Sequence, residues 1–317
     1  MRKFVSVIVP TCNRRTMLKD CLESLFNQTY SSYEIIVVDS STNVGDDVIQ
    51  EYKSKSPCTL KYLFQQPRGP AAARNLGIKH ATGEIICFID DDCIADKHWI
   101  ENLVAAFDYE EVGGVGGKIV ASDPRTLVEK YASTFFNQEY LISVQSFIIG
   151  CNMAYRKDIL DMIGGFDESF RFSEDNDIGI RVRLKGYELR YAPNAVVYHR
   201  HRTSLKGLIK QQYGYGKGHA RLGKKYTSLP TWQLAMAIWV KLMWILATSP
   251  LEALNREKFA FRMLYTISTT SFLLGLIRGI LFEEYPREKR IHEDLSFMRD
   301  YIKSVSIWRK VKSKLFT

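Results

Sequence analysis

The chain has 317 residues, 46% of them apolar and 25% charged, which fits an ordinary globular protein and excludes disordered, collagen-like and disulfide-stapled classes. The net charge of +9 is uneven: residues 201–317 carry 21 Lys/Arg against 8 Asp/Glu, whereas residues 1–200 carry 23 against 27. The basic part also holds the two most apolar stretches, so the charge points to an anionic membrane surface and not to nucleic acid.

Residues 4–10 (FVSVIVP) read as a strand that starts at once, with no signal-peptide core before it, so export of this part by that route is not expected. A helical pattern at 17–28 follows, then a strand at 34–39 (EIIVVD), a helix at about 46–55, a strand at 60–65, a helix at 71–80 and a strand at 84–90 (EIICFID). Near-continuous apolar runs separated by helical lengths predict a parallel sheet covered on both faces. Ligands of such sheets sit at the carboxyl ends of the strands. The polar residues fall there: Thr11 and Asn13 after the first strand, Asp39 after the second, Asp90, Asp91 and Asp92 after the fourth. Beyond residue 110 the pattern is mixed, with strands expected at 113–120, 147–155 and 188–198 and a charged helix at 173–185. After Ser204 everything reads helical, with apolar segments at about 231–249 and 263–282, so the expected division is 1–203 and 204–317. Breaks are marked by the Gly and Pro punctuation at 226–230 and 249–250.

The turn after the first strand, Pro10-Thr11-Cys12-Asn13-Arg14, contains no glycine, which argues against a dinucleotide fold, and no phosphate-binding P-loop occurs. Six cysteines lacking a C-x-x-C pair or zinc-ligand spacing read as reduced core thiols of a cytosolic compartment. Ile89-Asp90-Asp91-Asp92 brings three carboxylates to one strand tip, an arrangement that repels itself unless a cation neutralises it. Strand alternation would place Asp90 and Asp92 on one side, as two hard oxygen ligands for Mg²⁺ or Mn²⁺ shared with phosphates. The plainer alternative is a solvated acidic turn capping the next helix. A second acidic group, Ser173-Glu174-Asp175-Asn176-Asp177, opens a helix, where acids are favourable in any case; a carboxylate fixed there also suits a general base.

These pieces together resemble the inverting family 2 glycosyltransferases over about residues 4–200. Val7 to Arg14 looks like the family's opening strand and donor loop, and Ile36 to Ser41 its second strand, whose acid meets the nucleobase or ribose. Gly69-Pro70-Ala71-Ala72-Ala73-Arg74-Asn75-Leu76-Gly77 resembles its donor segment, and Asp90-Asp91-Asp92 its metal motif. Gly150-Cys151-Asn152 is similar to its acceptor-side strand, and Gly164-Gly165-Phe166-Asp167 with Glu174-Asp175 to the segment carrying the base.

The resemblance implies an α/β fold of GT-A type, a nucleotide-binding mixed sheet flanked by helices, here with a helical, membrane-associated C-terminal extension. It also implies metal-dependent inverting transfer of a single sugar from a nucleotide diphosphate sugar to an acceptor hydroxyl. Donor contacts fall to Pro10, Thr11, Asn13, Arg14, Asp39, Arg68, Gly69, Arg74, Asn75, Asp90 and Asp91. Mg²⁺ or Mn²⁺ falls to Asp92, Asp90 and His199, although a lone histidine is as readily structural. Gly150, Cys151 and Asn152 face the acceptor, and Asp175 is the base with Glu174 as its rival. Two departures stand out. Asp39-Ser40-Ser41 replaces a pair of acids, leaving UDP, GDP and dTDP donors open, and the Q-x-x-R-W of processive synthases is absent, which favours single transfer.

The C-terminal segments read either as spans or as interfacial helices gripping anionic lipid, with a soluble bundle ranked third. Lys241 penalises spanning while Trp232, Trp239 and Trp244 favour an interfacial location, and two spans would return the basic tail at 299–314 to the cytoplasmic face. Membrane attachment implies a lipid-linked acceptor. A sugar nucleotidyltransferase or a catalytically inactive sugar-nucleotide scaffold are the competing readings.

Overall fold

The computed structural model describes residues 2–42, 47–226, 231–248, 255–286 and 290–291. The basic tail at 299–314, the helix start at residue 46 and most of the expected breaks at 226–230 and 249–250 lie outside the described residues. The chain divides into two compact units, Met1–Asp123 with Phe136–Arg200 and Pro124–Phe135 with His201–Thr317.

The first unit is built on an eight-stranded sheet of order β3-β2-β1-β4-β7-β6-β8-β5. Its strands are β1 Val5–Thr11, β2 Tyr33–Asp39, β3 Thr59–Phe64, β4 Ile85–Ile89, β5 Cys93–Ala95, β6 Val112–Ala121, β7 Asn152–Arg156 and β8 Glu188–His199. Strands β1 to β4 are parallel, so Thr11, Asp39 and the end of β4 share one edge. Strand β7 runs antiparallel to β4 and β6, while β6 and β8 are parallel. Alternate residues feed two cores. Val5, Val7, Val9, Ile35 and Val37 pack on one face, and Ile8, Ile36, Val38, Ile86 and Phe88 on the other. Apolar runs on both faces, interrupted in β1 and β2 by the buried Ser6 and Glu34, are therefore what this sheet needs, and helices cover both faces.

Helices α1 Arg15–Phe26, α2 Asp47–Lys53 and α3 Pro70–His80 fall where the periodicity places them. Helix α3 begins with Pro70 after Gly69, whose φ of 100° only glycine adopts without strain. The first unit also holds α4 Trp99–Ala105, a short α6 Gln138–Tyr140, α7 Lys157–Ile163 and α8 Glu174–Leu184. Helix α7 is stopped by Gly164 at φ 75°, whose N–H returns to the carbonyls of Asp161 and Leu160. The strand expected at 147–155 is corrected. Pairing begins only at Asn152, because its partner β4 ends at Ile89, opposite Asn152. Before it a π-helical turn, Leu141–Gln145, is closed by Ser146 in the left-handed region.

The second unit contains α5 Leu127–Ser133, α9 Leu205–Lys225, α10 Thr231–Thr248 and α11 Arg256–Phe282. Helix α5 belongs to this unit although it lies well before residue 204 in the chain. Tyr131 of α5 packs with Leu208 and Leu264, and its hydroxyl meets the Ser268 hydroxyl at 2.6 Å. Helices α9 and α11 approach backbone to backbone: a Cβ on Gly216 would lie 2.0 Å from the Phe272 carbonyl, and one on Gly275 2.0 Å from that of Tyr213. Among the described residues, α11 is the one helix long and apolar enough to cross a membrane by length and composition, and the apolar part of α10, Thr231–Leu246, is shorter.

Candidate active site

The carboxyl ends of β1, β2 and β4 bring polar residues together. Beyond Ile89 the chain leaves the sheet in a turn closed by Cys93 N–H donating to the Asp90 carbonyl at 3.0 Å. Strand alternation therefore stops one residue before the aspartates, and the expected pairing of Asp90 with Asp92 is corrected. Asp91 and Asp92 both turn to Arg14, whose Nη1 lies 2.9 Å and 2.8 Å from them, while Asp90 accepts from Arg74 Nη2 at 2.9 Å. Thr11 Oγ1 donates to Asp91 Oδ2 at 2.8 Å. Burial pushes the Asp91 carboxyl up to about 6, against the pull of the Arg14 guanidinium.

Asp92 offers a different face. Its Oδ2 meets Arg14, but Oδ1 is buried without a hydrogen-bond partner and lies 3.4 Å from His199 Nε2. Strand β8 delivers that histidine: its last residue pairs with Cys93 in β5, and the next N–H, Arg200, donates to the Asp92 carbonyl at 2.9 Å.

Asp39, at the end of β2, accepts from Ser41 through Oδ1 and from the Tyr62 hydroxyl at 2.8 Å through Oδ2. Tyr62 was not legible as a site residue, because it lies within β3 and reaches Asp39 only through the parallel register. Asn13, with φ of 56°, donates its N–H to Ser41 Oγ at 2.8 Å and so ties the first loop to the second. Pro10 is the next-to-last residue of β1. Arg68 is exposed and paired with Glu168 at 2.7 Å. Asn75 braces a loop: its amide donates to the Phe166 carbonyl at 2.8 Å and accepts the Phe166 N–H at 2.7 Å.

Arg74 links the two acidic groups. It is buried, with Nη2 on Asp90 and Nη1 2.6 Å from Glu174 Oε1 at the start of α8. Burial opposes a charged guanidinium, but Asp90, Glu174 and Asp175 outweigh it and raise the Arg74 pKa. Asp175 accepts the Gly150 N–H at 2.9 Å through Oδ2. Burial, reinforced by Glu174, raises its carboxyl from the usual range to about 7, against Gly150 and Arg74. Asp177, fully buried, pairs with Arg181 at 2.8 Å and belongs to the helix itself.

Of the three residues expected on the acceptor side, only Gly150 lies at this site. Asn152 is fully buried and braces the sheet: its amide donates to the carbonyls of Lys118 and Ala195 at 2.9 and 3.0 Å and accepts from Trp99 Nε1 at 2.8 Å. Cys151 is buried with its thiol against that of Cys93. Asn152 opens β7, an interior strand paired on both sides, and Cys151 precedes it and packs into one apolar core.

Residues 6–164 match the model of glycosyl transferase family 2. The chain belongs to that family. This family 2 glycosyltransferase, a nucleotide-sugar-dependent transferase, is 30% identical over 243 residues to glycosyltransferase AglE of Haloferax volcanii, covering 75% of the chain and 80% of the relative. It is 27% identical over 247 residues to a Methanococcus voltae enzyme, dolichyl N-acetyl-α-D-glucosaminyl phosphate 3-β-D-2,3-diacetamido-2,3-dideoxy-β-D-glucuronosyltransferase, covering 70% of the chain and 74% of that enzyme. A mannosyltransferase of Pyrobaculum calidifontis, solved in complex with GDP-mannose and Mn²⁺, superposes with a TM-score of 0.68 at 21% identity, over 90% of this chain and 89% of that one, which shows a shared fold of GT-A type.

Proposed function

We propose that this family 2 enzyme transfers one sugar, with inversion and with the help of Mg²⁺ or Mn²⁺, from a nucleotide diphosphate sugar to a hydroxyl of a lipid-linked acceptor. The observation that carries this reading is the Arg74 bridge, which joins the aspartates after β4 to the helix start that holds Asp175.

The residues fit a hard divalent ion. Asp92 Oδ1 is a buried acceptor with no hydrogen-bond partner, facing an imidazole nitrogen at 3.4 Å; the carboxylate oxygen suits Mg²⁺ or Mn²⁺, and the added imidazole favours Mn²⁺ of the two. Asp92 and His199 would hold the ion, which when bound supplies Lewis-acid stabilisation of the departing diphosphate. Asp90 enters through Arg74 instead. Arg14 and Arg74 supply fixed positive charge where the leaving group gathers negative charge. Asp39 and Tyr62 form the hydrogen-bonding end for the nucleoside. Asp175 takes the acceptor proton: the Gly150 N–H fixes one oxygen, and a carboxyl near 7 holds a proton well at the working pH. Glu174 is paired to Arg74 in a charged hydrogen bond, which favours Asp175 over it as the base.

The metal reading is tested by nucleoside diphosphate release from a panel of nucleotide sugars with lipid extracts as acceptors. Release is expected with Mn²⁺, with loss on chelation and in Asp92→Ala. Full activity in excess chelator would remove the metal from the mechanism, and no release from any donor would remove the transfer.

A lipid-linked acceptor and work at the cytoplasmic face of a membrane are supported by the second unit and by the dolichyl phosphate in the Methanococcus voltae enzyme's name. Helix α10 exposes Trp232, Met236, Trp239, Val240, Met243 and Trp244, each 43–57% accessible, as one apolar stripe. The Lys241 ammonium lies 4.9 Å from the Tyr265 ring centroid of α11, off that stripe. Membrane fractions are therefore expected to retain the protein through a high-salt wash and release it in detergent; release by salt alone would exclude an apolar anchor.

A further inference from the structure

Cys93, Cys151 and His199 are separated by 58 and 48 positions, and no spacing in the sequence relates them. The fold brings them together. Strand β5 places Cys93 opposite His199 in β8, and the residue before β7 is Cys151. One sulfur from each cysteine and one ring nitrogen of His199 lie within 4.8 Å of one another, and all three residues are buried. The two thiols are in hydrogen-bond contact. Tetrahedral zinc, with Zn–S of about 2.3 Å and Zn–N of about 2.0 Å, needs ligand atoms about 3.5–3.8 Å apart, so shifts of an ångström or less close this triangle around an ion.

The donor set is selective. Two sulfurs and one imidazole suit Zn²⁺ or Cd²⁺ and are poor ligands for Mg²⁺ or Mn²⁺, which prefer oxygen. The triangle also borders the place proposed for the hard ion. His199 Nε2 stands 3.4 Å from Asp92 Oδ1, the buried carboxylate oxygen without a hydrogen-bond partner, so one imidazole adjoins both places.

We propose that Cys93, Cys151 and His199 form a binding site for a thiophilic divalent ion of the Zn²⁺ class, and that filling it draws His199 away from the ion that serves transfer. Each thiol loses its proton to the solvent as its sulfur–metal bond forms, and the ion is neither oxidised nor reduced. The competition rests on the reading of His199 under Proposed function; the binding does not. Soft metal then acts as an inhibitor whose effect excess Mn²⁺ opposes.

Titration of the full chain with Cd²⁺ is expected to produce a thiolate-to-cadmium charge-transfer absorbance that saturates at one equivalent. The band is expected to survive in Cys12→Ser/Cys58→Ser, which removes the exposed and the half-buried cysteine, and to disappear in Cys93→Ser. X-ray absorption of the unaltered protein loaded with one Cd²⁺ needs no variant and is expected to give two sulfurs in the first shell. A shell of oxygen and nitrogen only, a band lost with Cys12 and Cys58, or a band unchanged in Cys93→Ser overturns the site. Bound Mn²⁺, followed by its electron paramagnetic resonance signal, is expected to be released by Cd²⁺ from the unaltered protein and retained by Cys93→Ser. Retention by both, beside an intact cadmium band, overturns the competition alone, and failure of Mn²⁺ to bind at all overturns the metal reading of the transfer while leaving the cadmium site standing.

Discussion

Asp175→Asn is expected to lower the rate of sugar transfer by about 10²–10⁴-fold, the usual contribution of a positioned general base, while donor binding persists. The carboxyl must be unprotonated to accept the acceptor's proton. Burial and the neighbouring Glu174 hold its pKa near 7, so activity of the unaltered enzyme should climb with pH through about 7. That limb should vanish from the residual activity of the variant. In Glu174→Gln it should move to lower pH, because one source of negative charge beside Asp175 is gone.

Stability should respond in the opposite sense. A folded-state pKa raised above the unfolded value means that the native protein binds this proton more tightly. The carboxyl's contribution is then most favourable below the unfolded value, near 4, and is lost as pH rises through about 7. Thermal unfolding of Asp175→Asn against pH should therefore show a gain of roughly 1–2 kcal/mol at pH 8, discounted for the part of this carboxylate that solvent reaches, and none near pH 4. An enzyme less active yet more stable at alkaline pH is the mark of a group placed for chemistry at the expense of folding. Wild-type turnover in Asp175→Asn would transfer the role to another group.

The parallel half of the sheet was legible because β1, β2 and β4 are buried on both faces and so read as apolar runs, interrupted in β1 and β2 by the buried Ser6 and Glu34. The edges of those strands, not their middles, misled. Alternation carried three residues past Ile89 puts Asp90 beside Asp92, whereas the turn directs Asp90 to Arg74 and the other two to Arg14. The resemblance puts Asn152 and Cys151 with the acceptor, but Asn152 opens an interior antiparallel strand and is buried against backbone carbonyls, and Cys151, just before that strand, is buried in an apolar core. Nothing in the one-dimensional pattern separates a polar residue that lines a cleft from one that satisfies buried carbonyls. Tyr62 was missed for the complementary reason: its contact with Asp39 depends on strand register, which a sequence alone does not supply. The triangle of Cys93, Cys151 and His199 is the extreme case, since three distant strands must be assembled before the residues become neighbours.

Arg74→Met is expected to cost about 3–5 kcal/mol of folding stability, read from the midpoint of urea unfolding at constant slope, because it strands Glu174 and Asp90 beside an apolar side chain. The guanidinium also packs 5.6 Å from the Phe166 ring centroid, a contact methionine keeps only in part. Arg74→Lys should not restore the protein, since one ammonium cannot hold two carboxylates in the geometry of a planar fork. Pairing Arg74→Met with Glu174→Gln removes a stranded charge and should recover much of the stability without recovering transfer, since Asp90 and the start of α8 are still no longer held by one group. The remaining activity should carry its own signature. Arg74 lowers the pKa of Asp175, so without it the ascending limb of the pH profile should move to higher pH, opposite to the shift expected for Glu174→Gln. Limbs that move together in the two single variants would mean that Arg74 and Glu174 act on the fold alone, whereas opposed shifts tie both to the proton on Asp175.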